Sequence, residues 1–298
     1  MSLLITGKTG TVGSNLTGKG FSSKDYDLRN FDEALAAMEK FQPTSIVHCA
    51  AAVGGLDEHL RFRKKFFYDN VLINLNVLEA ARLYGVKRVL SFMSSCVYSE
   101  KSKPPLNEAD IHEGEPYFDY YPYGYAKRML DIQSRVYCEE YGIQYNCVVP
   151  TNIYGINDDF NLKTGHVVSV LIHKCYKAKQ DGTPFYVWGD GSQEREFLFT
   201  EDVKNIVEWL LPNYLKNEPI VLSNNQSVTI GHVASLIAKA FDFTGEIIFE
   251  SDKPSGQSKR NLSGDKLISL MDIEFTPLEK GIKRTVDWFV ENYHIARK

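Results

Sequence analysis

The sequence lacks several features that would place it outside the ordinary globular proteins. No apolar run in its 298 residues approaches the roughly 20 that a membrane-spanning helix needs. The N-terminal segment 1–7 has no basic stretch of the kind that opens a secretory signal peptide. Its five cysteines are scattered, without a CxxC pair or zinc-ligand spacing, which is typical of a reduced intracellular chain. A net charge of −4 offers no general attraction for nucleic acid or an anionic membrane. We therefore expect a cytoplasmic protein with no metal, nucleic-acid or membrane site.

The composition itself is that of a globular protein with a large core. Hydrophobic residues make up 43% and charged residues 24% of the chain, which is close to the average of globular domains. The length suggests one large domain or two coupled ones.

The first half of the chain alternates short apolar runs with longer helical patterns. Such alternation predicts parallel strands joined by crossover helices, an α/β doubly wound sheet of the Rossmann type. The predicted strands cover 3–5, 45–50, 87–93 and 144–149, and the predicted helices cover 31–41, 60–84 and 122–141.

The regularity falls after about residue 150, which predicts a smaller C-terminal α/β region. We expect a cofactor-binding domain over 1–160, completed by elements near 195–222, and a mainly substrate-binding region over 161–298. The predicted helices of that region cover 166–177, 203–211, 230–241 and 277–293, and its predicted strands cover 185–188, 196–199, 220–222 and 246–250.

Three glycines, Gly7, Gly10 and Gly13, form a GxxGxxG motif directly after the first predicted strand. Glycine permits a tight turn and a close approach of the backbone, so that a pyrophosphate can lie on the N-terminus of the next helix. A glycine triplet also occurs in ordinary structural turns. Its place at the start of a βαβ pattern favours a dinucleotide-binding loop.

The stretch after this loop predicts a shortened helix and no clear second strand. We find no Asp or Glu at a strand end, where one would hold the ribose of NAD. Lysines and serines stand there instead, and their ammonium and hydroxyl groups suit the 2′-phosphate of NADP; the alternative is that they are solvated surface residues. These residues are Lys8, Lys19, Ser22, Ser23 and Lys24. We predict NADP(H) as the cofactor.

Tyr123 and Lys127 stand four residues apart in a predicted helix, and Ser94 follows a predicted strand. The spacing puts the first two side chains on one helix face. A tyrosine with its reference pKa of about 10 is a poor acid/base at neutral pH, and we expect the ammonium group of Lys127 to lower that pKa. A serine hydroxyl would hold a carbonyl that is being reduced. A YxxxK motif often arises by chance. The catalytic interpretation therefore rests on the occurrence of this motif together with the glycine loop and the strand-end serine.

Several segments together resemble the extended short-chain dehydrogenases/reductases, and among them the GDP-L-fucose synthases. They occur in family order up to about residue 200 and more loosely beyond. The segments are Gly7-Lys8-Thr9-Gly10-Thr11-Val12-Gly13-Ser14, Ala50-Ala51-Ala52-Val53-Gly54-Gly55, Ser94-Ser95-Cys96-Val97-Tyr98, Tyr123-Gly124-Tyr125-Ala126-Lys127, Pro150-Thr151-Asn152-Ile153-Tyr154-Gly155, Gly165-His166-Val167 and Val187-Trp188-Gly189-Asp190-Gly191 leading to Arg195-Glu196-Phe197. Departures are Thr9, where the family commonly has an arginine, and Ser99, where it often has a proline.

The resemblance implies an NADPH-dependent enzyme acting on a GDP-linked keto-sugar. Tyr123, with Lys127 and Ser94, would protonate the C4 oxygen as hydride arrives. Cys96 and His166 would be the acid/base pair that epimerises C3 and C5, since a thiolate and an imidazole both titrate near neutral pH. Without the family pattern, Cys96 would read as a small buried residue and His166 as a helix cap or surface residue.

The same resemblance assigns the binding residues. The cofactor site would comprise Gly7, Thr9, Gly10, Thr11, Val12, Gly13, Ala50, Ala51, Ala52, Tyr123, Lys127, Pro150, Asn152, Ile153 and His166. The substrate site would comprise Val53, Gly54, Ser94, Ser95, Cys96, Asn152, Lys174, Trp188, Arg195, Lys253 and Arg260. Arg195 would meet the substrate pyrophosphate, whereas Lys174, Lys253 and Arg260 have solvated surface charges as their alternative.

Three functions stay open on the sequence. The first is a bifunctional 3,5-epimerase/4-reductase of GDP-4-keto-6-deoxymannose or of a relative such as a 6-deoxyheptose. The second is a 4-ketoreductase without epimerase activity, and the third is a non-catalytic NADP-sensing protein, which would usually lack the Tyr-Lys pair. By analogy with the family we expect a homodimer that forms through the helices near 60–84 and 122–141.

Overall fold

The computed structural model describes residues 2–253 and 261–298 and contains three sheets flanked by helices. The strands are β1 (Leu3–Thr6), β2 (Lys19–Phe21), β3 (Ser45–His48), β4 (Arg88–Phe92), β5 (Gln144–Pro150), β6 (Asn152–Tyr154), β7 (Phe185–Trp188), β8 (Glu194–Phe199), β9 (Ile220–Leu222), β10 (Ser227–Thr229) and β11 (Ile247–Glu250). The α-helices are α1 (Thr11–Asn15), α2 (Phe31–Phe41), α3 (Leu56–Arg61), α4 (Arg63–Leu83), α5 (Tyr121–Tyr141), α6 (Val167–Asp181), α7 (Thr200–Asn213), α8 (Ile230–Ala240), α9 (Asp265–Leu270) and α10 (Leu278–Glu291). Short 3-10 turns lie at Ser95–Val97 and Glu108–His112.

The main sheet has six parallel strands in the order β2-β1-β3-β4-β5-β9. Helices α2, α4 and α5 pack against one face, and α7 with α9 covers the other. Because both faces are covered, all four residues of β3 are buried, including the polar Ser45 and His48. This is the predicted doubly wound α/β fold.

The chain leaves β1 toward β2 on one side and returns to β3 on the other. At such a switch point the loops after the two central strands diverge and leave a crevice at the carboxyl edge of the sheet. The glycine loop follows β1, and the segment Ala50–Ala52 follows β3. The fold therefore brings two of the predicted cofactor segments to one crevice.

Two predictions about the first half were wrong. A second strand does exist: β2 pairs in parallel with β1 over three residues, and its short Lys-Gly-Phe sequence gave no strand pattern. The helix predicted over 60–84 is two helices, because Phe62 leaves helical geometry at φ −119° and ψ 42°. Helix α3 precedes that break and α4 follows it. As predicted, α1 is short.

The C-terminal region adds two small sheets, ordered β10-β8-β6 and β11-β7. Helices α6, α8 and α10 share a separate apolar core with them, which includes Phe160 and Phe289. Strand β9 returns to the main sheet. The division of the chain at residue 160, with later elements completing the cofactor-binding domain, stays a proposal. In the described ranges, no helix is both long and apolar enough to cross a membrane.

Candidate active site

The glycine loop has the close packing that a dinucleotide-binding turn requires. Gly7 adopts φ +69°, a left-handed conformation that favours glycine, and a Cβ there would lie 2.8 Å from the Ala50 nitrogen. A Cβ on Gly13 would lie 2.3 Å from the Gly7 carbonyl oxygen. Gly10 caps α1 without a side-chain hydrogen bond. The backbone of this loop thus fits the approach of a pyrophosphate to the first turn of α1.

Side chains around the loop hold it in place. Lys8 was among the residues predicted to bind a 2′-phosphate. Its Nζ instead donates hydrogen bonds to the carbonyls of Gly13 (3.1 Å) and Leu16 (2.6 Å). Burial lowers its pKa. The hydroxyl of Thr11 donates to the carboxylate of Asp158 at 2.6 Å, and Asp158 is fully buried. Lys8 is therefore a support of α1 in this structure.

The end of β2 carries the other residues that were predicted to meet a 2′-phosphate. Ser22 follows the strand directly, and Asp25 accepts hydrogen bonds from the Ser22 N–H and hydroxyl, both at 2.9 Å. Ser23 and Lys24 are exposed beside them, as is Lys19 in the strand. Ser23, Lys24 and Asp25 are the exposed polar residues at this strand end, and the Asp25 carboxylate is hydrogen-bonded to Ser22.

The segment after β3 is fixed by a buried asparagine that the sequence analysis did not single out. Asn70 of α4 accepts from the N–H of Ala52 at 3.0 Å and donates to its carbonyl at 2.9 Å. The Ala50 N–H donates to the Thr6 hydroxyl at 3.2 Å. This anchoring holds the backbone from Ala50 to Ala52 along the crevice.

The reductase residues come together between β4 and α5. Tyr123 and Lys127 are both buried, and the side chains of Ser94 and Tyr123 are hydrogen-bonded. Lys127 donates its Nζ to the Phe92 carbonyl at 2.8 Å, and the Nζ lies 5.7 Å from the centre of the Tyr123 ring. The predicted trio therefore lies at the carboxyl end of β4.

The expected effect of Lys127 on the tyrosine was wrong in this structure. Burial, followed by the nearby Cys96, raises the pKa of Tyr123 far above its usual value, and only the bond to Ser94 lowers it. Burial lowers the pKa of Lys127 to about 8. Tyr123 is therefore a phenol at neutral pH, which is the protonation state of a proton donor.

Cys96 and His166 flank this trio from different elements. Cys96 is half-buried in the turn after β4, its N–H donates to the Ser94 hydroxyl at 3.2 Å, and it acts electrostatically on both Tyr123 and Lys127. His166 is exposed at the N-cap of α6. It acts on His59, whose ring centre lies 5.2 Å from that of Tyr123. Ser94, Cys96 and Lys127 thus lie beside Tyr123, while His166 acts on His59, a ring neighbour of Tyr123.

The remaining predicted residues lie in the glycine loop and at the ends of β3, β4, β5 and β6. Pro150 ends β5, and Asn152 and Ile153 open β6. In the glycine loop Thr9 is exposed and Val12 is half-buried, and after β3 Val53 is exposed and Gly54 is half-buried. Ser95 opens the turn that holds Cys96. The Nδ2 of Asn152 donates to the Glu196 carbonyl at 2.9 Å, so this amide braces β6 against β8.

The cations predicted for the substrate pyrophosphate occupy the C-terminal region. Lys174 of α6 lies 4.9 Å from the exposed ring of Trp188 at the end of β7 and donates to the Tyr186 carbonyl at 3.2 Å. Lys253 follows β11, the strand beside β7, and pairs with Asp252 at 3.8 Å. Arg195 in β8 donates to the Glu194 carbonyl at 2.7 Å. Arg260 lies outside the described residues.

Known proteins match the chain over its full length. The NAD dependent epimerase/dehydratase family matches residues 3–223. The GDP-L-fucose synthase of Dictyostelium discoideum is 38% identical over 312 residues, covering 100% of this chain and 98% of that protein. The probable GDP-L-fucose synthase of Drosophila melanogaster is 37% identical over 318 residues, covering 99% of each.

A solved structure agrees with the fold. The GDP-L-fucose synthetase of Naegleria fowleri bound to NADP is 41% identical and superposes with a TM-score of 0.93, covering 100% of this chain and 95% of that one. With these matches and the geometry of the glycine loop and the Tyr-Lys pair, the chain belongs to the NAD dependent epimerase/dehydratase family of extended short-chain dehydrogenases, and GDP-L-fucose synthases are among its relatives.

Proposed function

We propose that this protein is an NADPH-dependent epimerase/reductase of a GDP-linked 4-keto-6-deoxy sugar, GDP-4-keto-6-deoxymannose or a close relative. It epimerises C3 and C5 and reduces the C4 ketone. One observation carries the proposal: Cys96 lies against the Ser94–Tyr123–Lys127 trio, so an epimerising thiol and a reducing centre share one site. The full-length similarity to GDP-L-fucose synthases supports the choice of sugar.

For the reduction, Ser94 and Tyr123 hold the C4 oxygen between their hydroxyls. NADPH, when bound along the glycine loop, supplies the hydride. Tyr123 donates its proton to the oxygen as the alcohol forms, and its buried phenol is protonated before the step. Lys127, fixed by the Phe92 carbonyl, places its Nζ 5.7 Å from the centre of the Tyr123 ring during this transfer.

For the epimerisation, the ketone makes the protons on C3 and C5 acidic. Inversion requires that one group removes a proton from one face and another returns a proton to the opposite face. Cys96 and His166 supply these two groups from separate elements, the turn after β4 and the start of α6. Both events precede reduction, because the C4 ketone is needed to acidify those protons.

The strand end after β2 supports NADP(H) as the cofactor. Ser23 and Lys24 offer a hydroxyl and an ammonium group there, while the Asp25 carboxylate already accepts two hydrogen bonds from Ser22. These groups suit a 2′-phosphate better than a free ribose hydroxyl. Thr9 is exposed in the glycine loop and offers a second hydroxyl.

The GDP moiety is assigned to the C-terminal region. Lys174 and Trp188 offer a cation and an exposed aromatic face 4.9 Å apart, and Arg195 offers a guanidinium group. We propose that they bind the substrate's diphosphate and base. We also propose that the protein is cytoplasmic and that it forms a homodimer through α4 and α5, whose outer faces carry exposed apolar side chains.

The test compares the products of the protein and of two variants. Supplied with GDP-4-keto-6-deoxymannose and NADPH, the unsubstituted protein should form GDP-L-fucose, and NADH should be the poorer reductant. Cys96→Ser and His166→Asn should give less epimerised product, whereas Cys138→Ser, a thiol remote from the site, should not. Products of unchanged stereochemistry from the first two variants would instead identify a plain 4-ketoreductase. Binding of NADPH without its oxidation in the presence of any keto-sugar would favour the sensing protein.

A further inference from the structure

Helix α3 buries a histidine and exposes a leucine, the reverse of an ordinary amphipathic helix. His59 is its one buried residue, at 5% exposure, whereas the adjacent Leu60 is 42% exposed. Burying a polar imidazole while a leucine faces solvent goes against the hydrophobic driving force. Such local violations occur where function sets the residue.

The contacts of His59 lead directly to the reducing centre. Its ring stacks on Phe66 with the ring centres 3.9 Å apart, and meets Tyr120 edge-on at 4.9 Å. It also meets the ring of Tyr123 edge-on at 5.2 Å. His59 thus lies between Phe66 of α4 and Tyr123, the proton donor of the proposed reduction.

The backbone conformation on either side of α3 orients the His59 side chain. Gly54 precedes the helix, and a Cβ there would lie 2.3 Å from a Glu58 carboxylate oxygen and 2.9 Å from the Phe66 ring. The chain then leaves helical geometry at Phe62. These two features let α3 fold back on the start of α4, so that His59 points at the aromatic rings of α4 and α5.

His59 is uncharged at neutral pH. Burial, with a smaller contribution from the nearby His166, lowers its pKa to about 4. The groups that face it are the rings of Phe66, Tyr120 and Tyr123, and His166 acts on it from α6. It therefore packs as a neutral aromatic ring and places no charge beside Tyr123.

We propose that His59 is a positioning residue that fixes the ring of Tyr123 for proton donation to the C4 oxygen. The inference rests on the proposed function and adds a residue to it. Edge-to-face contact restricts how the phenol ring tilts, while the bond to Ser94 fixes only its hydroxyl end. Without His59, Tyr123 would keep that hydrogen bond but gain freedom to move its ring off the reacting oxygen.

The experiment separates reduction from epimerisation in the full-length protein. His59→Ala removes the ring, His59→Phe keeps it, and Leu60→Ala is the matched control on the exposed face of α3. Reduction is followed by NADPH oxidation with the GDP-4-keto sugar. Epimerisation is followed separately, as deuterium exchange into the sugar without NADPH, because that exchange uses Cys96 and His166 and not Tyr123.

We expect His59→Ala to lower kcat for reduction about 10- to 100-fold, the size of effect that a misplacement of about 1 Å produces. The KM for the sugar and the exchange rate should each stay within about threefold, since neither depends on the angle of Tyr123. His59→Phe should recover kcat to within about fivefold of the unsubstituted protein, because it restores the ring contact. Leu60→Ala should match the unsubstituted protein.

Three results would overturn the inference: an unchanged kcat in His59→Ala, equal losses in His59→Ala and His59→Phe, or an equal loss of exchange and reduction. If His59→Ala does not fold, His59→Leu fills the space without a ring and carries the same expectation. Turnover by the unsubstituted protein tests the proposed function, and only the ratio of variant to unsubstituted protein tests the role of His59.

Discussion

At the scale of single residues, the protonation of Tyr123 decides which half of the proposed chemistry it performs. Burial raises its pKa, so the phenol holds a proton over the whole physiological pH range. A protonated phenol donates to an alkoxide but does not remove a carbon-bound proton. Tyr123 is therefore assigned to reduction, and the two epimerisations need the separate groups Cys96 and His166.

Replacing the phenol should separate the two reactions. We expect Tyr123→Phe to lower the rate of C4 reduction by about 10²- to 10⁴-fold, the usual contribution of a general acid. Deuterium exchange at C3 and C5 should continue. NADPH oxidation and mass spectrometry of the recovered sugar measure the two rates, and Tyr125→Phe, two residues away and exposed, is the control. Equal loss of both reactions would contradict the assignment.

Lys127 should make stability depend on pH above about 8, because burial lowers its pKa to about 8 from 10.5. Between these values the unfolded chain binds a proton that the folded chain has lost, so raising the pH favours the folded state. Relative to Lys127→Met, the free energy of unfolding should therefore rise with pH by at most about 1.4 kcal/mol per unit. Urea denaturation of both proteins at pH 7.5, 8.5 and 9.5 measures it. A difference that is flat or falls over this range would show that Lys127 keeps its charge.

The sequence predicted the residues whose roles follow from local spacing. Tyr123 and Lys127 share a helix face, and Ser94 follows a strand end, so their meeting needs only a helix, a parallel sheet and a short loop. His59, Asn70 and Asp158 were not singled out, because their roles depend on which distant segment packs against them. Asn70 reaches Ala52 across 18 positions and Asp158 reaches Thr11 across 147. A polar residue within an apolar stretch of α4 was the only available signal for Asn70.

At the scale of structural elements, the cofactor crevice depends on backbone packing between the glycine loop and the segment after β3. Gly7 lies against Ala50, and Gly13 lies against Gly7, at distances that exclude a side chain on either glycine. The loop therefore depends on glycine having no side chain, and a single added Cβ should be enough to disrupt it.

Gly13→Ala tests this element. The added Cβ would lie 2.3 Å from the Gly7 carbonyl oxygen, so the loop must move away from the position that receives the pyrophosphate. We expect the Kd for NADPH to rise at least about tenfold, or 1.4 kcal/mol. Fluorescence titration with NADPH measures it. Gly231→Ala in α8, with its nearest contact at 3.3 Å, is the control, and an unchanged Kd for Gly13→Ala would contradict the proposed cofactor loop.

Elements with a clear apolar pattern could be predicted from sequence, and short strands that mix polar with apolar residues could not. Helix α2 and strands β7 and β9 have the bounds that the pattern gave, because a strong periodicity or a compact apolar run ended at clear breakers. Strands β2, β6 and β10 have three residues each, too few for a periodic signal. The break at Phe62 was invisible, since the helical pattern continues across it and only the packing of α3 against α5 shows why the chain turns.

At the scale of the whole molecule, α4 and α5 pack against each other and leave apolar side chains on their outer faces. Ile132 is 48% and Val136 45% exposed on α5. Two long neighbouring helices with exposed aliphatic side chains form the kind of surface that a second copy would cover. This surface underlies the proposed homodimer.

Charge on that surface should break the dimer. We expect the unsubstituted protein to sediment as a dimer and the double variant Ile132→Asp/Val136→Asp as a folded monomer, because two carboxylates cannot be buried without partners. Sedimentation equilibrium measures the mass. Ile268→Asp, at an exposed position of α9, should remain dimeric. A monomeric unsubstituted protein, or a dimeric double variant, would contradict this interface.

The central claim is that one site performs both epimerisation and reduction, and turnover in deuterated buffer tests it most directly. The protein is given GDP-4-keto-6-deoxymannose and NADPH in deuterium oxide, and the product is analysed by NMR. The account predicts GDP-L-fucose with deuterium at both C3 and C5, because Cys96 and His166 exchange protons with solvent before Tyr123 and the cofactor reduce C4. Reduced product without deuterium at either carbon would contradict the roles of Cys96 and His166 and leave a plain reductase.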